Sequence, residues 1–471
     1  MKIIDKIYIN GAFVTPHGKA TFDLISPVNQ ELLGKVTLGD ETDTKQAIAA
    51  AKAAFKTFSQ TTREERIGYL EKMYAAIEKR KDEMIAMMVK EYGGTLQFAN
   101  GSFSYTLSSI SSNIAVLKDF NFEQRLGSAT VLLEPVGVVG IITPWNASNS
   151  FIANKLSTAI AAGCTAVIKP SEMSAMQTQL MMEALHEAGL PAGVFNIVNG
   201  LGAVVGAELT RNQDIAKISF TGSTAVGKSI ARDGADTVKR ITLELGGKSP
   251  NIIMEDANLQ EAIPLSVAAA FMNNGQACIA ATRLLVPAAK MEEVKTLLRT
   301  AVANVKVGDP ADPATQVGPM ISKKQFERVQ GYIQLGIAEG ATLLVGGPGQ
   351  PAGLEEGNFV QPTVFVDVNN NMRIAREEIF GPVLSVIPYN TLEEAIEIAN
   401  DTTYGLAAYV QGTDMAKAKK VAARLEAGRV AINGFKHDPM APFGGFKQSG
   451  LGREFGVYGL EAYLESKTIL S

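Results

Sequence analysis

Helical periodicity dominates the first part of the chain. Apolar residues recur at helical spacing, with charged residues between them, from Thr42 to Phe58 and again from Arg63 to Glu91. This pattern predicts two long amphipathic surface helices. A third helical pattern runs from Ser102 to Leu117.

Residues 121–135 contain two strand-like runs on either side of Gly127-Ser128, which predicts a β-hairpin. A two-stranded ribbon is marginally stable by itself, so the hairpin indicates an arm that packs on something else, such as another subunit. The tail from Leu460 to Ile469 also has strand-like character. We therefore expect the tail to pair with the ribbon.

Short apolar strands alternate with helices from Val136 onward, and a second alternating unit follows Leu245. This alternation predicts an α/β fold with a parallel sheet covered on both faces. Ligands of such sheets bind at the carboxyl ends of the strands. Three polar segments directly follow predicted strands and mark that edge: Thr143–Asn146, Lys169–Glu172 and Thr221–Thr224.

Composition narrows the classes of function. The chain has 471 residues, more than one compact core usually holds, so we expect two or three domains. A net charge of -4 argues against nucleic-acid binding, which normally requires a basic stripe. Two long uncharged runs, residues 135–154 and 262–282, are interrupted by Pro, Asn, Gly or Gln. They predict buried core and no membrane span.

Cysteine usage indicates the compartment. Cys164 and Cys278 are the two cysteines of the chain, so no disulfide framework stabilises the fold. The first fourteen residues carry charged and polar side chains and lack the apolar core of a signal peptide. A reducing cytoplasm is therefore the expected location.

Cys278 is the candidate nucleophile. It lies just after a glycine in a segment of small and polar residues, Asn273–Ala280. Thiols are partly ionised near neutral pH and are intrinsically nucleophilic. An isolated cysteine in an alanine-rich segment is more often a small buried hydrophobe, which is also the interpretation of Cys164. A Cys-His hydrolase fits poorly because none of the three histidines is an obvious partner, and no cluster has the spacing of metal ligands.

A glycine turn before a predicted helix, within Phe220–Gly227, is the best candidate for a phosphate site. Gly222 allows close approach, and Ser223 with the free amides of the helix start can face a pyrophosphate. The usual G-x-G-x-x-G fingerprint is absent from this segment, and a glycine turn before a helix is more often only a turn.

Several motifs in a fixed order give the chain a resemblance to the NAD(P)-dependent aldehyde dehydrogenases over essentially its whole length. Each motif alone is weak, but together they leave little room for coincidence. They are Pro144-Trp145-Asn146, Lys169-Pro170-Ser171-Glu172, Phe220-Thr221-Gly222-Ser223, Glu244-Leu245-Gly246-Gly247-Lys248, Gly275-Gln276-Ala277-Cys278, Glu378-Ile379-Phe380-Gly381-Pro382 and Pro442-Phe443-Gly444-Gly445.

The resemblance implies a covalent mechanism. Cys278 would attack the aldehyde carbon to give a thiohemiacetal, whose oxyanion is held by the Asn146 side chain and the backbone N–H of Cys278. Hydride transfer to NAD would leave a thioester. Glu244 would then act as general base for the water that hydrolyses it.

The resemblance also implies a cofactor site. It places Lys169 and Glu172 at the adenine ribose, Trp145 and Ser223 near the pyrophosphate, and Glu378 with Phe380 around the nicotinamide ribose. The Glu172 carboxylate would repel a 2′-phosphate, so we predict NAD over NADP. We predict that the chemistry requires no metal. The full predicted set is Ile142, Thr143, Trp145, Lys169, Glu172, Gly222, Ser223, Leu245, Glu378 and Phe380.

The expected substrate is a small aliphatic or aromatic aldehyde. Phe151, Ile279 and Phe443 would line a mainly apolar tunnel. Many relatives have Phe-Pro after Pro-Trp-Asn, where this chain has Ala147-Ser148, and a tryptophan where it has Asn154. These departures weaken the case for an aromatic cage around a quaternary ammonium group.

The resemblance further implies a Rossmann-like cofactor domain (residues 1–117 and 136–246) and a catalytic α/β domain (247–445). It also implies a small β oligomerisation arm (118–135 and 455–471) in a homodimer or homotetramer. Within the same fold, a CoA-acylating semialdehyde dehydrogenase is the alternative, disfavoured by Glu244. From other classes, a thiol esterase and a non-catalytic structural relative stay open.

Overall fold

The computed structural model describes residues 2–470; Met1 and Ser471, at which two of the expected domain ranges begin or end, lie outside the described residues. Strands and helices alternate through most of this chain. The strands are β1 (Lys2–Ile4), β2 (Ile7–Ile9), β3 (Ala12–Val14), β4 (Thr21–Ile25), β5 (Leu32–Thr37), β6 (Glu123–Leu126), β7 (Ala129–Pro135), β8 (Val138–Ile142), β9 (Thr165–Lys169), β10 (Phe195–Ile197), β11 (Lys217–Thr221), β12 (Arg240–Glu244), β13 (Pro250–Ile253), β14 (Arg283–Pro287), β15 (Thr342–Val345), β16 (Thr363–Val366), β17 (Val383–Tyr389), β18 (Ala407–Gln411), β19 (Arg429–Ile432), β20 (Gly450–Leu451) and β21 (Leu464–Leu470).

The α-helices are α1 (Glu41–Phe58), α2 (Arg63–Lys79), α3 (Lys81–Met87), α4 (Leu96–Asp119), α5 (Ser148–Ala162), α6 (Ala175–Glu187), α7 (Ala207–Arg211), α8 (Thr224–Ala235), α9 (Leu259–Phe271), α10 (Met291–Ala303), α11 (Lys323–Ala338), α12 (Arg373–Arg376), α13 (Leu392–Asn400), α14 (Met415–Ala422) and α15 (Gly456–Glu461). Between Met1 and Ser471, no helix combines the length and apolar character needed to cross a bilayer.

The first large sheet has eight strands in the order β20-β12-β11-β8-β9-β10-β2-β3. Its five central strands, from β12 to β10, are parallel to one another. Strands β8, β9 and β11 are buried along their whole length, as expected for a sheet covered on both faces. The predicted α/β fold is confirmed.

Register aligns the carboxyl ends of these strands. Ile142 of β8 lies opposite Lys169 of β9, and Thr221 of β11 lies opposite Glu244 of β12. The polar segments that follow the strands therefore share one edge of the sheet, as the alternating pattern predicts.

The second large sheet has seven strands in the order β15-β16-β17-β14-β13-β18-β19, parallel except for the β15-β16 pair. Strands β16 to β19 were not indicated by the sequence pattern. They are four to seven residues long and mostly buried, so they show no alternation of apolar and polar positions.

The prediction of one helix from Arg63 to Glu91 is wrong. Arg80 leaves the helical conformation with φ of -100° and ψ of 20°, so α2 and α3 are separate helices. The Arg80 guanidinium is drawn across to α6, where it forms ion pairs with Glu183 at 2.8 Å and Glu187 at 2.5 Å. After α3, a π-helical turn runs to Tyr92 and ends at Gly93, which has φ of 78°.

The predicted pairing of the tail with the hairpin is confirmed. β21 pairs antiparallel with β7 along seven residue pairs, from Leu464 opposite Pro135 to Leu470 opposite Ala129, and β6 extends this sheet. All seven residues of β7 are only partly buried. The small sheet thus stands out from the two large ones as a ribbon with accessible faces.

Two loops from distant parts of the sequence cross backbone against backbone beside Cys278. Gly275 adopts a left-handed φ of 72°, and a Cβ atom there would collide with the backbone of Gly381 and Pro382. Only glycine satisfies both the dihedral angle and the close approach.

We expect Gly275→Ala to destabilise the fold by about 2–4 kcal/mol, because the methyl group adds backbone strain and overpacking at one point. Thermal unfolding measures this. Gly331→Ala is the matched control, because a Cβ at this helical position meets no atom within 4 Å and should leave stability unchanged or higher. Equal unfolding midpoints for the two variants would contradict the proposed constraint at Gly275.

Candidate active site

One cavity of about 990 Å³ joins the carboxyl end of β12 to the segment between α9 and β14. Its lining includes the three predicted catalytic side chains and the three predicted to form an apolar tunnel: Cys278, Glu244, Asn146, Phe151, Ile279 and Phe443. Residues that are up to 297 positions apart in sequence (443 - 146) therefore share one space.

The segment before Cys278 has an unusual backbone path. Helix α9 ends at Phe271, and Asn273, Asn274 and Gly275 then follow with φ of 51°, 58° and 72°. Among residues other than glycine, asparagine tolerates this left-handed conformation best. The turn brings Cys278, which is half-buried, to the wall of the cavity.

Buried side-chain amides hold this turn in place. The Tyr92 hydroxyl donates to Asn273 Oδ1 at 2.8 Å and accepts from Gln276 Nε2 at 3.2 Å. Asn274 Nδ2 donates to the Gly93 carbonyl at 3.0 Å. Because these buried polar groups are satisfied inside the protein, the turn is fixed without the cost of unpaired donors and acceptors.

Asn146 is joined to the same turn. Its Nδ2 donates to the carbonyl of Gln276 at 2.9 Å, and its own carbonyl accepts from Asn273 Nδ2 at 3.0 Å. A side-chain amide nitrogen carries two N–H groups, so a second one is left to donate. The backbone N–H groups of Cys278 and Ile279 also face the thiol. Asn146 and Cys278 line one cavity, so the Asn146 amide and these backbone N–H groups are the candidate donors for a developing oxyanion.

Glu244 is the last residue of β12 and is 3% exposed. Neither carboxylate oxygen has a hydrogen-bond partner among residues 2–470. Burial, together with the nearby charge of Glu454, raises its pKa well above the ordinary value. A Cβ at Gly444 would lie 2.8 Å from Glu244 Oε1, so a glycine there leaves room for the carboxylate.

The surroundings of Cys278 favour the thiol over the thiolate. Burial and the carboxylates of Glu378 and Glu244 raise its pKa to about 12. Forming the thiolate therefore requires a base, and Glu244 lines the same cavity. Cys164 is fully buried, and burial raises its pKa to about 11. It does not line the cavity, which agrees with its interpretation as a core residue.

Lys155 and Glu454 form a buried ion pair near Glu244. Glu454 was not predicted from the sequence as a site residue. Lys155 Nζ donates to Glu454 and, at 3.0 Å, to Ser219 Oγ, while Asn154 Nδ2 donates to Glu454 Oε2 at 3.1 Å. Glu454 lines the cavity as well. It was missed because it lies in a segment without a motif, and a lone glutamate there resembles a surface residue.

The predicted cofactor residues lie outside this cavity, at the sheet edge beside it. Lys169 Nζ donates to Glu172 Oε2 at 3.0 Å, and both side chains keep further hydrogen-bonding capacity. Ile142 ends β8 and Leu245 follows β12, and both are buried. The hydroxyl of Thr143 is buried without a partner among the described residues. Such an orphaned group at a strand end indicates that a ligand completes it.

The segment containing Gly222 and Ser223 enters α8. Ser223 is the N-cap, with its Oγ accepting from the Val226 N–H at 3.4 Å, and the Gly222 N–H donates to the Glu244 carbonyl at 3.0 Å. Val226 in this first turn is 48% exposed, so the helix start presents both amides and an apolar side chain to solvent.

Glu378 and Phe380 come from the loop before β17. The Gly247 N–H donates to Glu378 Oε1 at 3.1 Å, and burial raises the pKa of this carboxyl to about 7. Phe380 packs edge-on against Trp145, with ring centroids 5.4 Å apart. The loop therefore contacts the strand-end segments directly, at Gly247 and at Trp145.

Comparisons with known proteins agree with one another. A family model described as aldehyde dehydrogenase family matches residues 13–469. A 3-succinoylsemialdehyde-pyridine dehydrogenase from a Pseudomonas species is 44% identical, with 100% of this chain and 99% of that protein aligned. A putative aldehyde dehydrogenase from Staphylococcus haemolyticus is also 44% identical, with 98% of each chain aligned.

Solved structures give the same result. Aldehyde dehydrogenase C from Pseudomonas syringae, a mutant in complex with NAD+ and octanal, has a TM-score of 0.98 at 44% identity, covering 99% of this chain and 96% of that one. Betaine aldehyde dehydrogenase from Staphylococcus aureus with NAD+ has a TM-score of 0.96 at 36% identity, covering 99% and 94%. The chain belongs to the aldehyde dehydrogenase family.

Proposed function

We propose that this protein oxidises an aldehyde to the carboxylic acid, with NAD as hydride acceptor and Cys278 as covalent nucleophile. The observation that carries the proposal is the convergence of Cys278, Glu244 and Asn146 on one cavity. That cavity adjoins a sheet edge with the features of a dinucleotide site.

The residues at that edge fit a dinucleotide. The α8 start offers amide groups to a pyrophosphate, which is the usual use of a helix N-terminus. Lys169 and Glu172 can hydrogen-bond one ribose, and Glu378, with one oxygen left after its bond to Gly247, can bond the other. Relatives of known structure contain NAD+, which supports the same assignment.

Attack by Cys278 begins the reaction. The thiol proton passes to Glu244, the sulfur forms a bond to the aldehyde carbon, and the carbonyl oxygen becomes an oxyanion. The free Asn146 N–H and the Cys278 backbone N–H can donate to that oxygen. Removing one such donor typically costs about 2.7–4 kcal/mol of transition-state stabilisation.

Oxidation then leaves a thioester on Cys278. Bound NAD would supply the acceptor for the hydride that leaves the carbon as the oxyanion collapses. After the proton taken from the thiol has passed to solvent, Glu244 removes a proton from water, and the water oxygen bonds to the thioester carbon. The carbon–sulfur bond then breaks to release the acid, and the Cys278 thiolate takes the proton from Glu244. Burial suits Glu244 to this role because a carboxylate with a raised pKa is a stronger base toward the proton of water.

The domain ranges and the assembly belong to the same proposal. We assign the eight-stranded sheet to cofactor binding, the seven-stranded sheet to catalysis and the β6-β7-β21 ribbon to a homodimer or homotetramer. The accessible faces of β7 support the last assignment. A reducing, cytoplasmic setting is consistent with two free thiols.

Steady-state NADH absorbance with a panel of aldehydes tests the nucleophile. We expect Cys278→Ala to lower kcat by at least about 10³-fold, because covalent catalysis is lost while binding is kept. Cys164→Ala is the matched control and should retain turnover, because Cys164 is buried away from the cavity. Unchanged turnover in Cys278→Ala would refute the assignment.

Cofactor choice depends on Glu172. We expect Glu172→Gln to raise kcat/KM for NADP by about tenfold or more while changing that for NAD less, because the like-charge repulsion of a 2′-phosphate is removed. Parallel kinetics with both cofactors measure the ratio. Glu397→Gln, at an exposed carboxylate on α13, is the control. Should the NADP/NAD ratio stay the same in both variants, Glu172 does not select the cofactor.

A further inference from the structure

Part of the cavity wall carries a polar cluster that the mechanism above does not use. It consists of Tyr105, Arg429 and His437, which all line the cavity. We refer to these three residues as the Arg429 cluster. Tyr105 and His437 pack edge to face, with ring centroids 5.4 Å apart.

Arg429 is only partly satisfied. Its Nη2 donates to the carbonyl of Phe435 at 2.6 Å, whereas Nη1 is buried and has no hydrogen-bond partner among residues 2–470. Within the same residues, no carboxylate lies at ion-pair distance from this guanidinium. The hydrogen bond to the Phe435 carbonyl therefore satisfies Nη2 of the guanidinium and leaves Nη1 without a partner.

His437 also has a ring nitrogen without a hydrogen-bond partner, and it does not balance the positive charge of Arg429. Its Nε2 is buried without a partner in the part of the chain that the structure describes. Burial and the charge of Arg429 lower the pKa of His437 to about 4, so the ring is neutral at pH 7. A neutral imidazole offers one N–H to an acceptor. Arg429 Nη1 and His437 Nε2 thus both lack a hydrogen-bond partner beside the permanent positive charge of Arg429.

The other charged groups of the cavity leave this positive charge uncompensated. Glu454 is paired with Lys155, and Glu244 makes no hydrogen bond or ion pair with Arg429 among the described residues. Lys436, exposed on the lining, adds a second cation. Partial burial of an unpaired charge in the cavity wall costs free energy, and the binding of an anion offsets that free energy.

The cluster is close to the reacting sulfur. Arg429 lies opposite Ala407 in the β18-β19 pair, and Tyr409 is two residues further along β18. The Tyr409 hydroxyl donates to the carbonyl of Ile279, the residue after Cys278, at 2.7 Å. A short substrate can therefore place one end at the thiol and the other at the guanidinium.

We propose that the substrate carries a carboxylate at the end opposite its aldehyde, and that Arg429, assisted by His437, binds this carboxylate. The substrate class is thus the semialdehydes of short dicarboxylic acids. This inference rests on the proposed aldehyde oxidation and replaces the small aliphatic or aromatic aldehyde expected from the sequence. Arg429 acts as a specificity-determining residue, and the aldehyde chemistry at Cys278 is unchanged.

The test compares the semialdehydes of succinic, glutaric and adipic acid with butanal, pentanal and hexanal, using NADH formation by the full-length protein. We expect wild type to oxidise at least one semialdehyde with a kcat/KM about tenfold or more above that of the alkanal of equal length. Because this comparison uses the unaltered protein, it does not depend on the folding of a variant.

Two variants then assign the effect. Arg429→Gln should raise KM for the preferred semialdehyde by roughly 10–100-fold with little change in kcat, because a charge-assisted bond is lost. Its kcat/KM for the alkanals should stay within about twofold of wild type. Arg429→Lys keeps the charge and should retain part of the preference. Lys419→Gln, at an exposed lysine of α14 that does not line the cavity, is the matched control and should change kcat/KM for either substrate class by less than about threefold.

Two outcomes would overturn the inference while keeping the proposed function. One is a wild-type protein that oxidises every alkanal better than the matching semialdehyde. The other is an Arg429→Gln variant that loses activity equally on both classes, which would indicate a structural role through Phe435. Absence of NADH with any aldehyde would instead overturn the proposed function itself.

Discussion

The active site depends on a three-residue left-handed turn held between two other backbone segments. Asn273, Asn274 and Gly275 reverse the chain after α9, and Gly275 meets the backbone of Gly381. On the following side, a Cβ at Gly247 would collide with the Cys278 carbonyl. At each of these glycines, the absence of a side chain allows two loops to touch through their backbones. These backbone contacts fix the position of the nucleophile.

The turn also explains why the site contains so many buried amides. A left-handed backbone leaves its N–H and C=O groups without helical partners, and a buried polar group without a partner costs about 1–3 kcal/mol. Asn273 Nδ2 donates to the Gln276 carbonyl of this turn, and the Asn274 and Gln276 side chains bond the turn to Gly93 and Tyr92. The same network fixes Asn146, so the oxyanion donor and the nucleophile are oriented together.

Much of this arrangement could be predicted from the sequence. The alternation of strands and helices gave the parallel sheet, and the polar segments after β8, β9 and β11 marked its binding edge. Helix α1 ends at Phe58, as its apolar spacing predicts, and begins at Glu41, one residue before the predicted start. The resemblance to a family brought Cys278, Glu244 and Asn146 to attention, and all three line one cavity.

What could not be predicted depends on contacts between distant residues. The break at Arg80 follows from acidic partners on α6, about a hundred positions further along the chain. Glu454 and Arg429 look like ordinary surface charges in sequence, because nothing near them shows that β12, α5 and β19 enclose a common cavity. Glu454 is important because it is buried, and Arg429 because part of its guanidinium lacks a hydrogen-bond partner. Both are properties of the folded chain.

The central claim is that Cys278 carries the acyl group during turnover. The most direct measurement is rapid mixing of the unaltered protein with NAD and excess aldehyde, followed by acid quenching during turnover and peptide mass spectrometry. We expect NADH formation together with an acyl adduct on the peptide containing Cys278, because the thioester is an obligatory intermediate of this mechanism. Turnover without any adduct on Cys278, or with the adduct on Cys164, would contradict the mechanism.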